Sequence, residues 1–314
     1  MEIAVKLTSA AAQDIVRKSL RSCVVEGVEP CYGGKISTVY EIHCATPDQH
    51  LILKVYPESS HWKMEKEVYV YGLLERLEDL PIPPVLLWDD SKQLVPQNYL
   101  LMSKLQGQPL SHLTALLSDE QLRDIYHQMG RILARIHKAT FTVFGYITTG
   151  VIDSHLTNAA YMRFQFDKKL KEFTKFGGEP SLHRAIADYV EAQDRVLSEC
   201  RTPVLCHDDY HEGNVLIVEE KGHWRVSGIV DVENAVSGDP LLDIAKTDYY
   251  AIRGNAAKLE GFIEGYGPLP GNWRDRMQIF RLYHALELRD WCASSGNMAV
   301  LAGIADDLRR FCAE

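Results

Sequence analysis

The sequence predicts an α+β fold with two lobes, a small antiparallel-sheet lobe followed by a larger, mainly helical lobe. Two patterns predict it: apolar residues alternate with period two in short segments up to residue 105, and they recur at helical spacing from Ser118 onward. The segment QGQPLSHL, residues 106–113, separates the two patterns and carries the glycine and proline of a linker. We therefore expect a nucleotide-binding lobe at 1–104, a hinge near 103–110 and a helical lobe at 105–314.

The N-terminal lobe contains two helix signals and five strand signals. Helices are predicted at 8–20 and 61–77, and strands at 23–32, 37–45, 51–56, 83–90 and 97–105. Short turns join the first three strands, so we expect an antiparallel meander there.

The C-terminal lobe begins with a helix that Ser118 and Gln121 start as a capping box and that extends to His137. Two more helices are predicted within 155–200, around the break GGEP. A hairpin follows at 214–233, and helices occupy most of 240–313.

Composition excludes several classes of protein. The net charge of −9 disfavours a nucleic-acid surface, which needs clustered positive charge, and is compatible with a site for a cationic substrate. Seven cysteines without a C-x-x-C pair indicate neither a disulfide framework nor a zinc knuckle. No apolar segment approaches the roughly 18 residues of a membrane span, and the N-terminus does not resemble a signal peptide. We expect a cytoplasmic protein without membrane or nucleic-acid partners.

The segments VLCHDDYHEGNVLI (204–217) and GIVDVENAVSGDP (228–240) carry the polar residues most suggestive of chemistry. Asp209, Asn214 and Asp231 each lie beside an apolar, strand-like segment. Phosphoryl transfer from ATP uses one carboxylate to orient a hydroxyl, and an amide with a second carboxylate to bind magnesium. The spacing therefore predicts a kinase, with Asp209 orienting the hydroxyl.

Lys54 lies within the apolar strand LILKVY, and Glu67 lies on the inward face of the next helix. Two interpretations remain open. An edge-strand lysine can cover apolar surface with its stem while its ammonium reaches water, and the glutamate can belong to a solvated helix face. Alternatively, Lys54 binds the phosphates of ATP and Glu67 holds it in place.

Five segments, LILKVY, KEVYVYGLL, YLLMSKLQG, LCHDDYHEGNVLI and GIVDVENAVSGDPLLDIA, resemble in this order the aminoglycoside phosphotransferase family of small-molecule kinases. The resemblance covers about residues 30 to 260. It implies a protein-kinase-like fold, ATP as the phosphate donor with GTP as the alternative, and Mg²⁺. The family has His-Gly-Asp where this chain has His207-Asp208-Asp209, so Asp208 adds a carboxylate beside the predicted catalytic residue.

The resemblance also implies a role for each matching position. Asp209 orients the hydroxyl, Asn214 and Asp231 bind Mg²⁺, and Lys54 binds the α- and β-phosphates while paired with Glu67. The other implied nucleotide contacts are Gly33, Gly34 and Ser37 in the phosphate loop, Val39 and Ile52 over the adenine, and backbone groups from Ser103 to Leu105 at the base edge. His207 and Asp243 are implied to brace the catalytic and metal loops.

The acceptor is predicted to be a small molecule with a hydroxyl group. The first candidate is an aminoglycoside or other cationic antibiotic. A metabolite such as choline, homoserine or a sugar derivative is the alternative within the family. The candidate acceptor contacts are Tyr210, His211, Glu212, Glu264, Glu287 and Asp290.

Three other classes of function fit the residues less well. A metal-dependent hydrolase would use His207, Asp208, Asp209 and His211 as ligands, but it leaves Asn214, Lys54 and the GIVDVE strand unexplained. A nucleotide-binding protein without catalysis would lack a catalytic residue type, whereas every expected type is present. A Ser-His-Asp hydrolase is disfavoured because no G-x-S-x-G elbow occurs.

Overall fold

A computed structural model describes residues 7–31 and 37–313, and these residues form two compact units. The first unit comprises the described residues up to Pro109, together with Thr148–Gly150 and Val215–Glu233. The second comprises Leu110–Ile147, Val151–Asn214 and the described residues from Asn234 onward. An antiparallel sheet dominates the first unit and helices dominate the second, so the predicted α+β class is confirmed.

The first unit is built on a five-stranded sheet of order β1-β2-β3-β5-β4 in which all neighbours are antiparallel. Its elements are α1 Ser9–Ser19, β1 Val24–Cys31, β2 Thr38–Thr46, β3 Asp48–Tyr56, α2 His61–Leu74, β4 Val85–Asp89 and β5 Asn98–Ser103. The side chain of Thr8 accepts a hydrogen bond from the backbone N–H of Ala11 and so caps α1. The five predicted strands and two predicted helices are all present.

Alternation along β3 decides which side chains face the core. Leu51 and Leu53 are fully buried in a cluster with Ile15 and Val16 of α1. Because successive strand residues point to opposite faces, Lys54 lies on the other face of the sheet. The apolar core thus fixes the direction of the Lys54 side chain.

The hairpin after residue 214 lies in a different unit from the one predicted. Strands β10 Val215–Glu220 and β11 His223–Ile229 pair with each other, and β10 also pairs with the short strand β6 Gln108–Pro109. This pairing makes the hairpin part of the first unit, whereas the sequence pattern assigned it to the helical lobe. A contact between segments more than 100 residues apart leaves no local signal in the sequence.

The second unit contains eight helices within its described residues, and a small sheet. Its helices are α3 Asp119–Ile136, α4 Asn158–Lys175, α5 Pro180–Ala192, α6 Asp194–Leu197, α7 Pro240–Thr247, α8 Ala256–Tyr266, α9 Trp273–Ser294 and α10 Leu301–Ala313. Its sheet, of order β8-β7-β12-β9, consists of β7 Phe144–Ile147, β8 Val151–His155, β9 Val204–Cys206 and β12 Val236–Gly238. Strands of three to five residues are too short for reliable alternation, so β7, β8 and β12 were not predicted.

Helices α3 and α8 pack closely because α8 has glycine at two positions one turn apart. A Cβ atom at Gly261 would collide with the carbonyl oxygen of Arg123, and one at Gly265 with that of His127. Because the helices pack closely, Tyr126 of α3 and Lys258 of α8 both donate hydrogen bonds to the side chain of Glu212, which lies three residues after Asp209.

Among the described residues, no helix is both long and apolar enough to cross a bilayer.

Candidate active site

Lys54 of β3 and Glu67 of α2 form a direct ion pair in the first unit. The Lys54 ammonium lies 2.7 and 2.8 Å from the two carboxylate oxygens of Glu67, and the Tyr56 hydroxyl donates to one of those oxygens at 2.7 Å. Glu67 is fully buried. A buried carboxylate held by three hydrogen bonds fixes the position of the lysine nitrogen.

The charges around Lys54 keep it protonated. Burial by itself would lower its pKa, but the carboxylates of Glu67 and Asp231 outweigh burial and raise the pKa of Lys54 well above its usual value. Burial raises the pKa of Glu67, and the neighbouring Lys54 ammonium opposes that rise. Lys54 is therefore a fixed cation, which can bind an anion such as phosphate.

Asp231 follows β11 and lies 3.3 Å from the Lys54 ammonium. Its φ of 66° is in the left-handed region, which aspartate tolerates better than most residues. Its side chain is 41% exposed, and its carboxylate lies with those of Glu67 and Glu233 in a group whose oxygens are within 4.8 Å of one another. Glu67 and Glu233 are already paired with Lys54 and Lys63, so Asp231 is the most accessible oxygen ligand of the group. Carboxylate oxygens are ligands that suit Mg²⁺.

In the second unit, Asp243 of α7 holds the backbone of the loop that carries Asp209. Its two carboxylate oxygens accept the backbone N–H groups of His207 and Asp208, both at 2.6 Å, and His137 lies 3.1 Å away. Burial would raise the pKa of Asp243, but these hydrogen bonds and His137 lower it. Asp243 therefore holds the backbone of the loop at His207 and Asp208.

Asp209 and Asn214 meet within the same loop. The Asn214 side-chain nitrogen donates to the Asp209 carboxylate at 3.0 Å and to the Asp209 backbone oxygen at 2.9 Å. When its nitrogen makes these contacts, the amide oxygen of Asn214 is left to bind another group, such as a cation. Asp209 keeps 21% of its side chain exposed, so a substrate can reach it.

His211 contributes to the charge state of Asp209. Its Nδ1 accepts the backbone N–H of Gly213 at 3.0 Å, so the other ring nitrogen, Nε2, carries the proton and lies 3.3 Å from Asp209. Burial opposes ionisation of Asp209, yet the hydrogen bond from His211 and the charge of Lys246 lower its pKa to about 2. Asp209 is thus a carboxylate at neutral pH and can accept a hydrogen bond from a hydroxyl group.

The backbone explains why aspartate can replace glycine at position 208. Asp208 has a φ of 56°, a left-handed conformation that glycine adopts freely and that aspartate and asparagine tolerate. Its side chain is buried, which raises its pKa, and among the described residues its Oδ1 has no hydrogen-bond partner.

The structure describes most of the predicted nucleotide contacts. Gly33 and Gly34 lie outside the described residues, whereas Ser37 is buried at the start of β2. Val39 pairs with Lys54 across β2 and β3, and Ile52 lies two residues before Lys54 on the same strand face. The backbone N–H of Ser103 donates to Pro84, and Leu105 packs near Gly228.

Two of the predicted acceptor contacts make hydrogen bonds within the second unit. Tyr210 is completely buried and its hydroxyl donates to the backbone oxygen of Met129, so it has no surface for an acceptor. Glu212 accepts hydrogen bonds from Tyr126 and Lys258, each at 2.7 Å, and it joins the loop to α3 and α8. Period-based reasoning could not show that these side chains point inward from a loop.

The other acidic candidates are each paired with a basic residue. The pairs are Glu264 with Arg123 at 2.6 Å, Glu287 with Lys246 at 2.6 Å, and Asp290 with Arg289 at 3.3 Å. The Glu264 pair is about half exposed and so contributes little stability. Burial raises the pKa of Asp290 to about 7 although Arg289 opposes it.

Lys246 is the residue near the catalytic motif that the sequence reasoning missed. It is buried in α7, pairs with Glu287 of α9, and lies 4.5 Å from the ring centre of Tyr250. Burial would lower its pKa, but Glu287 raises it, so Lys246 is a cation that acts on Asp208 and Asp209. A lysine within the apolar segment PLLDIAKT was the available signal.

The competing hydrolase prediction has no support in the geometry. Within the described part of the chain, no group of three or more metal-binding side chains combines His207 or His211 with Asp208 or Asp209. His211 also uses Nδ1 to accept a hydrogen bond from its own loop.

Comparison with known proteins agrees with this geometry. Residues 27–280 match the model of the "Phosphotransferase enzyme family". The chain is 25% identical over 274 residues to a probable ketoamine kinase of Enterococcus faecium, covering 82% of this chain and 87% of that protein.

Two solved structures share the fold. One is a thermostable mutant of the aminoglycoside phosphotransferase APH(4)-Ia in ternary complex with ADP and hygromycin B, with a TM-score of 0.69, 17% identity, and coverage of 97% of this chain and 98% of that chain. The other is the fructosamine-3-kinase candidate from Haemophilus somnus 129PT, with a TM-score of 0.65, 14% identity, and coverage of 95% and 96%. The protein-kinase-like fold predicted from the sequence is thereby confirmed.

Proposed function

Because this chain belongs to the phosphotransferase enzyme family and is a small-molecule kinase, we propose that it transfers the γ-phosphate of ATP to a hydroxyl group of an amine-bearing sugar derivative. One observation carries the proposal: the side-chain nitrogen of Asn214 donates to the ionised Asp209 carboxylate at 3.0 Å, which orients both side chains of the motif at once. A carboxylate held in this way can orient a hydroxyl, and the amide oxygen beside it can bind a cation.

Asp209 would accept a hydrogen bond from the attacking hydroxyl. In phosphoryl transfer the transition state is largely dissociative, so a correctly positioned nucleophile matters more than early removal of its proton. A pKa of about 2 suits this role, because the carboxylate stays ionised across the physiological range and is a weak base. The anchoring of the loop by Asp243 would keep the carboxylate in position.

Lys54 and Asp231 would serve the nucleotide. Lys54 would bind phosphate oxygens, since its ammonium is charged and Glu67 fixes its position. The carboxylate of Asp231, in the first unit, and the amide oxygen of Asn214, in the second, are each the kind of oxygen ligand that suits Mg²⁺. When bound, the ion would neutralise phosphate charge. The complexes of the structural relative with ADP support ATP as the donor, and GTP is the alternative.

The acceptor class that the observations favour is a ketoamine, a sugar derivative with one amine. The Enterococcus faecium relative supports this class. In addition, Glu212, Glu264 and Glu287 each pair with a basic residue of the chain itself, which reduces the negative charge available to a polycation. The aminoglycoside or other cationic antibiotic expected from the sequence remains the second candidate, supported by the APH(4)-Ia complex with hygromycin B.

Mass spectrometry can test both parts of the proposal. Purified protein would be incubated with ATP and Mg²⁺ and with ketoamines, aminoglycosides, choline and homoserine in separate reactions. We expect one added phosphoryl group on ketoamines, and a higher kcat/KM for them than for any aminoglycoside. Phosphorylation of aminoglycosides alone would replace the ketoamine with the antibiotic. If no hydroxyl compound accepts phosphate although ATP binds, the protein is a nucleotide-binding protein without this activity.

A further inference from the structure

A group of histidine and carboxylate side chains lies on one face of the β2–β3 hairpin, away from Asp231. His43 of β2 and His50 of β3 are direct partners in the strand register, and Asp48 lies two residues before His50. Strand alternation places these three side chains on the face opposite Ile42 and Leu51, which are fully buried. The group therefore belongs to the accessible face of the sheet.

The ring and carboxylate atoms already lie close together. The two imidazoles stack with centroids 4.7 Å apart and ring planes 24° from parallel. His43 Nε2 lies 3.2 Å from an Asp48 oxygen, and one ligand atom from each of the three residues lies within 4.8 Å of the others. Tetrahedral bonds of about 2.0–2.2 Å from zinc to nitrogen and oxygen place the ligand atoms roughly 3.3–3.6 Å apart, so side-chain rotation would have to shorten the longest separation by up to about 1.5 Å.

A second carboxylate contacts Nδ1 of each imidazole. His50 Nδ1 lies 2.5 Å from Glu41, and His43 Nδ1 lies 3.7 Å from Glu26 of β1. Glu41 is itself held by the Lys104 ammonium at 2.7 Å. When Nδ1–H of His50 donates a hydrogen bond to Glu41, Nε2 of His50 is unprotonated, which is the form that binds a metal.

We propose that Nε2 of His43, Nε2 of His50 and a carboxylate oxygen of Asp48 bind one Zn²⁺ ion, with Glu26 and Glu41 orienting the imidazoles. Two nitrogen ligands and one oxygen ligand favour zinc over magnesium, which prefers oxygen ligands. A water molecule would complete the four ligands of the ion. The bound ion would connect β2 to β3, the strand that carries Lys54.

Zinc binding can be measured apart from the phosphotransferase reaction. Untagged protein, freed of metal with a chelator, would be titrated with ZnCl₂ by calorimetry in excess Mg²⁺ and without nucleotide. We expect one zinc ion per chain and a higher melting temperature with zinc. His43→Ala and His50→Ala should each abolish this stoichiometric binding. His223→Ala is the matched control, because His223 is an exposed strand histidine on β11 and its loss should change nothing.

Two further measurements test the arrangement of ligands. Glu41→Gln should weaken zinc binding about 10- to 100-fold, as loss of a carboxylate behind a ligating histidine usually does. Co²⁺ bound in place of zinc should give visible absorption bands of a four-coordinate site, and His50→Ala should remove them. Absence of stoichiometric zinc in the wild type would overturn the proposal. Equal zinc binding by the wild type and the His43→Ala/His50→Ala double variant would also overturn it, since the ion would then bind elsewhere.

Discussion

The ammonium of Lys54 lies 2.7 and 2.8 Å from the two carboxylate oxygens of the fully buried Glu67. This relationship argues against the interpretation of Lys54 as a stem that only covers apolar surface. A lysine whose only role is to cover apolar surface would extend its ammonium into water, whereas this ammonium is held by carboxylates. Lys54 is 12% exposed at its side chain, so access to it is limited but present.

Replacing Lys54 tests its proposed role in binding phosphate. Lys54→Met alone leaves Glu67 buried and unpaired, so we would combine it with Glu67→Gln, which removes that charge. We expect the KM for ATP to rise roughly 10- to 100-fold, because a charge-assisted hydrogen bond is lost. Lys171→Met, at an exposed surface pair, is the control. An unchanged KM in the double variant would remove Lys54 from the nucleotide site.

Asp209→Asn tests the catalytic assignment with almost no change in shape. We expect kcat to fall roughly 10²- to 10⁴-fold, because an amide no longer accepts the hydroxyl hydrogen bond as a carboxylate does. Steady-state kinetics gives kcat, and calorimetry should show that ATP binding is retained. Asp188→Asn, at an exposed position of α5, should behave as the wild type. Retained turnover in Asp209→Asn would contradict the assignment.

Asp243→Ala tests the anchoring of the catalytic motif. The substitution leaves two buried backbone N–H groups, those of His207 and Asp208, without their acceptor, and His137 without its carboxylate. We expect the free energy of unfolding to fall by about 3–5 kcal/mol, as when a buried charged pair is broken. Urea denaturation measures this change. Asp243→Asn keeps one oxygen acceptor and should lose less, so equal stability losses in the two variants would argue against the hydrogen bonds as the cause.

Asp290 predicts a dependence of stability on pH. Its pKa rises from 3.8 in the unfolded chain to about 7 in the folded protein, so the folded state holds more protons between these values. The contribution of Asp290 to the free energy of unfolding should therefore decrease as pH rises from about 4 to about 7. Asp290→Asn resembles the protonated form and removes this decrease.

Urea denaturation at a series of pH values can test that prediction. The stability of Asp290→Asn relative to the wild type should increase between about pH 4 and 7 and then stay constant. Asp188→Asn should show no such trend relative to the wild type. A constant difference between Asp290→Asn and the wild type over the whole range would show that Asp290 ionises normally.

Long elements with strong periodicity were predictable from the sequence. The capping box of Ser118 and Gln121 forms at the start of α3, and all five strands of the first sheet are present. Helix α2 ends at Leu74, three residues before the predicted end, and no glycine or proline at Leu74 signals that end. Strands β7, β8 and β12 of the second sheet were missed because three to five residues carry too little pattern.

The candidate site, like the fold, was predictable from the sequence only in part. Asp209, Asn214 and Asp231 could be selected from the sequence because their residue types and spacing match the needs of phosphoryl transfer. The hydrogen bonds of Tyr210 and Glu212 could not be predicted, because loop side chains follow no period and the partners Met129, Tyr126 and Lys258 are distant in sequence. Lys246 was missed for a similar reason, since its partner Glu287 lies 41 positions later.

The sequence by itself determined the class of fold, the family and the residue types of the catalytic motif, because these depend on local periodicity and spacing. Only the tertiary structure decided which charges are paired: Lys54 with Glu67, Lys246 with Glu287 and Asp243 with the backbone of the motif. It also showed that position 208 tolerates aspartate because its φ is 56°. Ion pairs and hydrogen bonds between distant segments depend on how the chain packs, and a local sequence pattern does not predict that packing.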